Sequence, residues 1–240
     1  MSIADNVNRV RDNIARVAQR AGRSAESITL VAVSKQKPIE AITAAYAAGL
    51  RVFGENRSAE LAQKSAELAH LPDLSWHFIG QLQTRQSLPV ATHADVFHAT
   101  DRLKIAARLS RQLEQLDRTL SIFIEVNVSG EASKAGFDCR QWEESLTQRD
   151  ALAAAAATIA ALPRINVQGL MTMAPWGSAE SEIRTVFQRT RALAEWLTTT
   201  VPQADWSNLS MGMTDDYHIA IEEGATHIRV GRAIFGERNY

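Results

Sequence analysis

The chain has 240 residues and carries 26 lysines and arginines against 27 aspartates and glutamates, which gives a formal net charge of -1. This balance provides no general electropositive surface for nucleic acid or an anionic membrane, so the expected partner is a small molecule. The one cysteine, Cys139, excludes an internal disulfide and a cysteine-based zinc cluster. The sequence has no signal-type segment and no run of ~18 consecutive apolar residues, which predicts a cytoplasmic protein.

The chain opens with an amphipathic segment. Apolar side chains recur along it at steps of three and four residues, as on one face of an α-helix: Ile3, Val7, Val10, Ile14 and Val17. The acidic residues Asp5 and Asp12 in the same segment argue against a transit peptide. We therefore predict an extra helix that precedes the main fold.

Short apolar runs then alternate with longer helical patterns. The eight candidate strands lie near residues 29–34, 51–53, 76–79, 95–98, 121–126, 166–170, 207–209 and 226–230. The helices between them are predicted near 38–49, 57–69, 81–90, 101–116, 140–161, 179–199 and 215–223. This alternation predicts an α/β protein with a parallel sheet, and eight units favour one TIM-type (β/α)8 barrel domain over residues 1–240 rather than an open doubly wound sheet.

Lys35 follows the first predicted strand, at the end of the barrel where active sites gather. Barrel closure brings the first strand beside the last, so Lys35 and Arg229 are predicted neighbours. A neutral lysine amine can form a Schiff base with a carbonyl, and apolar surroundings or a nearby cation would favour the neutral form. From spacing alone, a lysine that merely ends a strand is the favoured interpretation, and spacing is insufficient to assign chemistry to it.

Two late segments are suited to binding a phosphate group. Ser210, Gly212 and Thr214 follow or end one predicted strand and precede a helix, so they offer hydroxyl and backbone N–H donors. Gly231 and Arg232 follow the last strand, where glycine allows a close approach of the backbone. Glycines that simply end strands are the alternative interpretation of both segments.

Other polar residues are assigned structural roles. The pair Asp215 and Asp216 follows a turn and is predicted to cap the next helix. Glu55 is predicted to order its neighbours rather than to react. The histidines His77, His218 and His227 lack the spacing of a metal site, and no metal is predicted.

Seven segments together resemble the pyridoxal phosphate homeostasis proteins, also called the YggS/PROSC family, which are related to the N-terminal barrel of alanine racemase. The resemblance covers almost the whole chain. The segments that carry it are Val31-Ala-Val-Ser-Lys35, Phe53-Gly-Glu-Asn56, Trp76-His-Phe-Ile-Gly80, Asn127-Val-Ser129, Gly169-Leu-Met171, Ser210-Met-Gly-Met213 and Arg229-Val-Gly231.

The resemblance implies a fold type III barrel that binds pyridoxal 5′-phosphate (PLP). It implies that Lys35 holds PLP as a Schiff base and that Asn56 lies beside the cofactor. It places Ser210, Gly212, Thr214 and Gly231 around the phosphate. It also implies that Arg229 faces the pyridine nitrogen, where a cation disfavours protonation and makes the ring a weaker electron sink.

The implied function is to hold and buffer PLP in vitamin B6 homeostasis, without a dedicated turnover reaction. Delivery to PLP-dependent apo-enzymes, or docking of a regulatory protein, is left open, and nothing in the sequence demands more than a monomer. Related racemases have a second domain that supplies a tyrosine, whereas Tyr217 and Tyr240 do not belong to such a domain. A low-activity amino-acid enzyme and a Schiff-base aldolase remain the alternative functions.

Two positions depart from the family pattern. In the segment Gln81-Leu-Gln-Thr-Arg-Gln86, many relatives have a proline or histidine first and a lysine last, whereas here the basic residue is Arg85. Arg232 stands where many relatives have threonine or serine. The sequence leaves open whether Arg232 contacts the phosphate or turns outward.

Overall fold

The computed structural model describes residues 2–131 and 134–237. The strands are β1 (Thr29–Val33), β2 (Val52–Glu55), β3 (Ser75–Phe78), β4 (Val96–Thr100), β5 (Leu120–Asn127), β6 (Phe137–Asp138), β7 (Ile165–Met171), β8 (Asn208–Met213) and β9 (His227–Val230). The helices are α1 (Ile3–Arg20), α2 (Ile39–Ala47), α3 (Ser58–Glu67), α4 (Ser87–His93), α5 (Leu103–Leu116), α6 (Leu146–Ala160), α7 (Glu180–Thr200), α8 (Tyr217–Glu222) and α9 (Arg232–Phe235). Short 3-10 turns cover Ala25–Ser27 and Thr84–Gln86.

The parallel strands close into a barrel, as the alternating pattern predicts. Within the described ranges, eight strands form the ring in the order β1, β2, β3, β4, β5, β7, β8, β9, and β6 pairs with β5 at the rim. The ring closes where β9 returns to β1, with Val31 opposite Arg229. The carboxyl ends of β1 and β9 are therefore adjacent, which confirms the barrel prediction.

Helix α1 covers the outside of the barrel with its predicted apolar face. Val7, Val10, Ile14 and Val17 are buried, and a capping box between Ser2 and Asp5 satisfies free backbone N–H groups at its first turn. The Asn6 side chain donates a 3.0 Å hydrogen bond to the carbonyl oxygen of Ile234 in α9. The first helix is thereby tied to the segment that follows the last strand.

Two predicted helices differ from the observed ones. The helix expected over 81–90 is a 3-10 turn followed by α4, which begins at Ser87. Pro89 explains this start, because proline is tolerated in the first turn of a helix but clashes in its interior. The helix expected over 140–161 begins only at Leu146, where the Ser145 hydroxyl accepts a hydrogen bond from the Gln148 N–H.

The sequence patterns did not predict the two-residue strand β6. It follows the loop after β5 and pairs with the end of β5 through Val126 and Phe137. A strand this short carries no periodic signal. In the part of the chain that the structure describes, no helix has the length and apolar character required to cross a bilayer.

Candidate functional site

The carboxyl ends of the barrel strands surround a cavity of about 490 Å³, within the usual size of small-molecule sites. Its lining residues are Val33, Lys35, Asn56, Ile79, Gly80, Met173, Trp176, Met213, Thr214, Asp215, Arg229, Gly231, Arg232 and Glu237. Six of the eight residues selected from the sequence are in this set. The exceptions are Ser210 and Gly212, which are buried in β8.

Lys35 lies half-buried in the turn that follows β1. Its neighbour Gln36 has φ 60°, in the left-handed region, which makes the turn tight. The second lysine of this loop, Lys37, donates hydrogen bonds to the carbonyl oxygens of Phe235, Gly236 and Glu237 at 3.0, 3.2 and 2.9 Å. Lys35, rather than Lys37, is therefore the lysine that lines the cavity.

A buried ion cluster fixes the loop on both sides of Lys35. Lys64 of α3 donates to the Ser34 carbonyl oxygen at 2.8 Å, to Glu55 Oε1 at 2.8 Å and to Glu60 Oε1 at 2.6 Å. The same Glu60 oxygen accepts the Gln36 N–H at 2.6 Å, and the Ser34 hydroxyl donates to Glu55 Oε1 at 2.6 Å. Through these bonds Lys64 holds residues 34 and 36.

Glu55 belongs to this ion cluster. Its side chain is fully buried. Burial raises the pKa of Glu55, while the hydrogen bonds from Lys64 and Ser34 oppose the rise. The carboxylate contacts groups that shape the Lys35 loop, in agreement with the ordering role expected for it.

Arg229 reaches the cavity from inside the barrel and is almost completely buried. It donates from Nη1 to the Ser210 hydroxyl at 2.6 Å and from Nη2 to the Thr172 carbonyl oxygen at 3.2 Å. Burial lowers the pKa of Arg229 to about 10, and the charges of Asp216 and Glu125 oppose this. The guanidinium remains a cation at neutral pH, and Lys35 lines the same cavity.

Thr214, Gly231 and Arg232 line the cavity near the β8 and β9 ends. Arg232 forms an ion pair with Asp215, and its Nη1 lies 3.8 Å from Glu237 Oε1. Its side chain therefore borders the cavity and pairs with carboxylates. The sequence left open whether Arg232 contacts the phosphate or turns outward. In the structure its side chain borders the cavity and is also paired with Asp215.

Ser210 and Gly212 lie in β8 behind the residues that line the cavity, and they support those residues. The Ser210 hydroxyl is directed into the barrel interior, where it contacts His98 and Arg229. Gly212 has φ +92°, and a Cβ there would come within 2.6 Å of the Ala220 Cβ and 2.9 Å of the Tyr217 Cα. Glycine is thus needed for the contact between β8 and α8.

The Asp215–Asp216 pair differs from the predicted helix cap. Asp216 occupies the N-cap position of α8 but makes no side-chain bond to the helix. Its Oδ1 instead accepts the Met213 N–H at 2.5 Å, which closes the loop after β8. The cap prediction is therefore wrong for the hydrogen bond, because the nearer free N–H group belongs to the loop.

Asn56 and the loop after β3 form the opposite side of the cavity. A Cβ on Gly80 would lie 2.3 Å from the Asn56 carbonyl oxygen, so only glycine permits this close approach. Gln81 donates a 2.6 Å hydrogen bond to Glu125 Oε2. Arg85 is exposed, donates within its own loop to Gln83 at 3.1 Å and is not part of the cavity lining.

Sequence reasoning missed three residues that shape the site. Lys64 carries the ion cluster, Met173 lines the cavity, and Trp176 lies at its mouth with 87% of its surface exposed. The position of Met173 and Trp176 after β7 was the available signal, because loops at strand ends form barrel sites. Lys64 gave no such signal, since a lysine in the middle of a helix usually lies in solvent.

Of the three histidines considered earlier for metal binding, His77 and His227 lie in the barrel interior beside His98, whereas His218 is exposed on α8. His77 and His98 are buried, and their rings lie 5.0 Å apart between centroids. Burial lowers the pKa of His77 to about 3 and that of His227 to about 4. Across the described ranges, no group of three or more His, Cys, Asp or Glu side chains is arranged to hold a metal ion.

Comparison with known proteins gives a consistent result. The family model described as alanine racemase, N-terminal domain, matches residues 6–239. The pyridoxal phosphate homeostasis protein of Pseudomonas aeruginosa is 43% identical over 239 residues, covering 100% of this chain and 97% of that protein. The protein of the same name from Escherichia coli K12 is 44% identical over 243 residues, covering 99% and 97%.

Solved structures agree with these sequence relatives. PipY from Synechococcus elongatus, solved without PLP, superposes with a TM-score of 0.86 at 36% identity, covering 98% of this chain and all of PipY. An alanine racemase from Clostridium difficile, at 13% identity, has a TM-score of 0.69 over 98% of this chain and 58% of the racemase, and it supports the fold alone. The chain belongs to the alanine racemase N-terminal domain family and, within it, to the pyridoxal phosphate homeostasis proteins.

Proposed function

We propose that this chain binds PLP at the mouth of its barrel, as a Schiff base on Lys35, and holds and buffers the cofactor. The observation that carries the proposal is that Lys35, Arg229, Thr214 and Gly231 line one cavity. The structure of PipY with PLP bound, which is 37% identical to this chain with a TM-score of 0.80 over 93% of it, supports the same cofactor.

The chemistry of the lining fits PLP. The Lys35 amine can attack the aldehyde carbon, with loss of water, to form the carbon–nitrogen double bond. Thr214, Gly231 and Arg232 offer a hydroxyl, a backbone N–H and a guanidinium to the phosphate. Asn56 would lie beside the ring. Ser210 and Gly212, which do not line the cavity, would support the residues that do.

Arg229 would determine how strongly the ring of the bound cofactor withdraws electrons. When bound, PLP supplies an aldehyde and an electron-withdrawing ring. Facing the ring nitrogen, the buried guanidinium would donate a hydrogen bond to it and oppose its protonation, which would weaken the electron sink. A holding protein has no need of a strong electron sink, so this arrangement favours storage over turnover.

The lining also lacks an evident second base. Among the described residues that line the cavity there is no tyrosine, histidine or cysteine, and the two carboxylates, Asp215 and Glu237, lie beside Arg232. We propose that the barrel acts without a dedicated reaction. Assays with single amino acids should give no more product than one equivalent of protein.

Exchange of PLP with other proteins would take place through the open side of the cavity. Lys35 is half-buried, and Trp176 at the mouth is 87% exposed, so the cofactor would remain within reach of solvent. This access supports the delivery of PLP to apo-enzymes. We propose a cytoplasmic protein that has one barrel domain and is a monomer. Light scattering of the loaded protein would test the monomeric state.

The experiment is a visible spectrum of the protein loaded with PLP, followed by borohydride reduction and peptide mass mapping. We expect a reducible absorption and a pyridoxyl group on Lys35. The Lys35→Ala variant should lose both. The matched control is Lys37→Arg, which changes the other lysine of the same loop and should keep the adduct on Lys35.

The opposite results separate the alternatives. A protein that stays colourless and unmodified after incubation with PLP would overturn the proposal and favour a Schiff-base aldolase. An adduct together with product in excess of the protein would instead favour an amino-acid enzyme.

A further inference from the structure

A line of hydrogen-bonded side chains crosses the barrel interior and ends at Arg229. His77 Nδ1 lies 2.9 Å from His98 Nε2, and His98 Nδ1 lies 2.7 Å from the Ser210 hydroxyl oxygen. Ser210 in turn accepts the 2.6 Å bond from Arg229 Nη1. Each of the four side chains is at least 95% buried, so water does not compete for these bonds.

The chemistry of the four groups gives the line a direction. A guanidinium only donates, so Ser210 is the acceptor in its bond with Arg229. The Ser210 hydroxyl hydrogen then has His98 Nδ1 as its acceptor, because a buried hydroxyl left without an acceptor is costly. His98 consequently carries its hydrogen on Nε2 and donates it to His77 Nδ1.

The neutral state of His98 is consistent with this direction. Burial lowers the pKa of His98 well below its ordinary value, and the neighbouring His77, His227 and Arg229 act in the same sense. A neutral imidazole keeps one nitrogen free to accept. The Ser210 hydroxyl, by donating to it, becomes a better acceptor for Arg229.

Arg229 depends on neutral partners for its orientation. Its bonds run to the Ser210 hydroxyl and the Thr172 carbonyl oxygen, and within the described residues no carboxylate lies within 4.0 Å of it. A guanidinium without a contacting carboxylate keeps its full charge but is held by fewer strong bonds. The position of this charge in the cavity therefore rests on how firmly Ser210 is held.

We infer that His98 is a positioning residue for Arg229: it orients the Ser210 hydroxyl so that the guanidinium is fixed toward the ring nitrogen of the bound cofactor. This inference rests on the proposed function and deepens it. It assigns a role in the site to a histidine on β4 that does not line the cavity. His77 completes the arrangement by accepting the remaining His98 hydrogen.

The experiment compares two substitutions that differ in one acceptor. In His98→Asn the side-chain oxygen can take the place of Nδ1 and accept from Ser210, whereas His98→Leu cannot. We expect His98→Leu to shift the visible absorption of the PLP-loaded protein and to weaken PLP binding about fivefold, the effect of losing one hydrogen bond. The His98→Asn variant should restore both toward the wild type, and the surface variant His70→Leu should change neither.

A second pair of variants links the effect to Arg229. Ser210→Ala, a smaller change, should shift the absorption in the same direction as His98→Leu and serves if the latter does not fold. In an Arg229→Gln background, Ser210→Ala should add no further shift, because its effect acts through the arginine. Additive shifts would overturn the inference.

The outcomes keep this inference separate from the proposed function. A wild-type protein without a reducible absorption or a Lys35 adduct would refute both. A wild type that forms the adduct, with Ser210→Ala indistinguishable from it in absorption and affinity, would refute only the role of His98. That result would leave the histidines as packing residues of the barrel core.

Discussion

Lys64 links α3 to the loop that carries Lys35. Its ammonium has three acceptors, and two of them, the Ser34 carbonyl oxygen and Glu60, hold the residues on either side of Lys35. Because Lys64 and Glu55 are both buried, each compensates the other's loss of hydration. The loop that carries Lys35 is thus held by a residue that does not line the cavity.

Replacement of Lys64 by methionine should destabilise the protein strongly. The substitution leaves Glu55 buried without its cation, a change that costs about 3–5 kcal/mol. Urea unfolding measures it, and the exposed Lys104→Met provides the control, with an expected change within about 0.5 kcal/mol. A further Glu55→Gln substitution should recover part of the loss, and equal stability of the Lys64 and Lys104 variants would contradict the role of the ion cluster.

The positions of Lys35 and Arg229 were predictable from the sequence, whereas the orientation of the Ser210 side chain was not. Lys35 and Arg229 were selected because they stand at or beside the ends of strands, and barrel closure brings such ends together. Ser210 was selected on the same ground, yet its side chain faces the barrel interior, because alternate residues of a strand point to opposite faces. The weak strand pattern near 207–209 did not define which residues face inward.

Among the elements, the contact between β8 and α8 shapes the loop that contains Thr214. Gly212 lies against the backbone of Tyr217 and the side chain of Ala220. The same loop is closed by the Asp216 carboxylate on the Met213 N–H. The strand and helix therefore fix the loop from both ends.

Gly212→Ala should be markedly more destabilising than alanine at a glycine with free space. Both kinds of position have positive φ, which costs a side chain about 1–2 kcal/mol. At Gly212 the new Cβ would also meet backbone at 2.9 Å, whereas at Gly22, with φ +68°, nothing lies within 4 Å. Unfolding free energies of Gly212→Ala and Gly22→Ala test this, and equal losses would mean that the β8–α8 contact adjusts easily.

Most strands and helices followed from apolar periodicity, and the failures have local causes. Pro89 sets the start of α4, and the Ser145 hydroxyl sets the start of α6. The residues before α6 are instead held as turns by Arg189, which donates to the carbonyl oxygens of Val128 and Arg140 at 2.7 and 2.8 Å. High helix propensity in that segment was overridden by these tertiary bonds.

At the scale of the whole molecule, the centre of the barrel core contains polar side chains, among them His77, His98 and Ser210. The rings of His98 and His227 lie within 5.0 Å, between centroids, of Phe123, and His227 contacts the Thr226 hydroxyl at 2.9 Å. Burial, with Arg229 as a second cause, lowers the pKa of His227 to about 4. The folded protein therefore resists protonation of a histidine that the unfolded chain protonates readily.

Stability should consequently depend on pH through His227. Between about pH 6.5 and pH 4 the unfolded chain binds this proton and the folded chain does not, so stability is present above this window and is lost as pH falls. The difference in unfolding free energy between the wild type and His227→Asn should fall by up to about 1.4 kcal/mol per pH unit. Comparison with the variant removes the opposite contribution of buried carboxyls such as Glu125, whose pKa is raised by burial. A pH-independent difference would contradict this assignment.

The exposure of Trp176 gives the chain a built-in optical reporter. Trp76, Trp142 and Trp206 are at least 94% buried and Trp196 is partly buried, whereas Trp176 stands in solvent at the mouth of the cavity. A soluble quencher added to the protein would therefore act mainly on the emission of Trp176. Loading and release of a ligand could then be followed in real time, without a label and independently of the ligand's own colour.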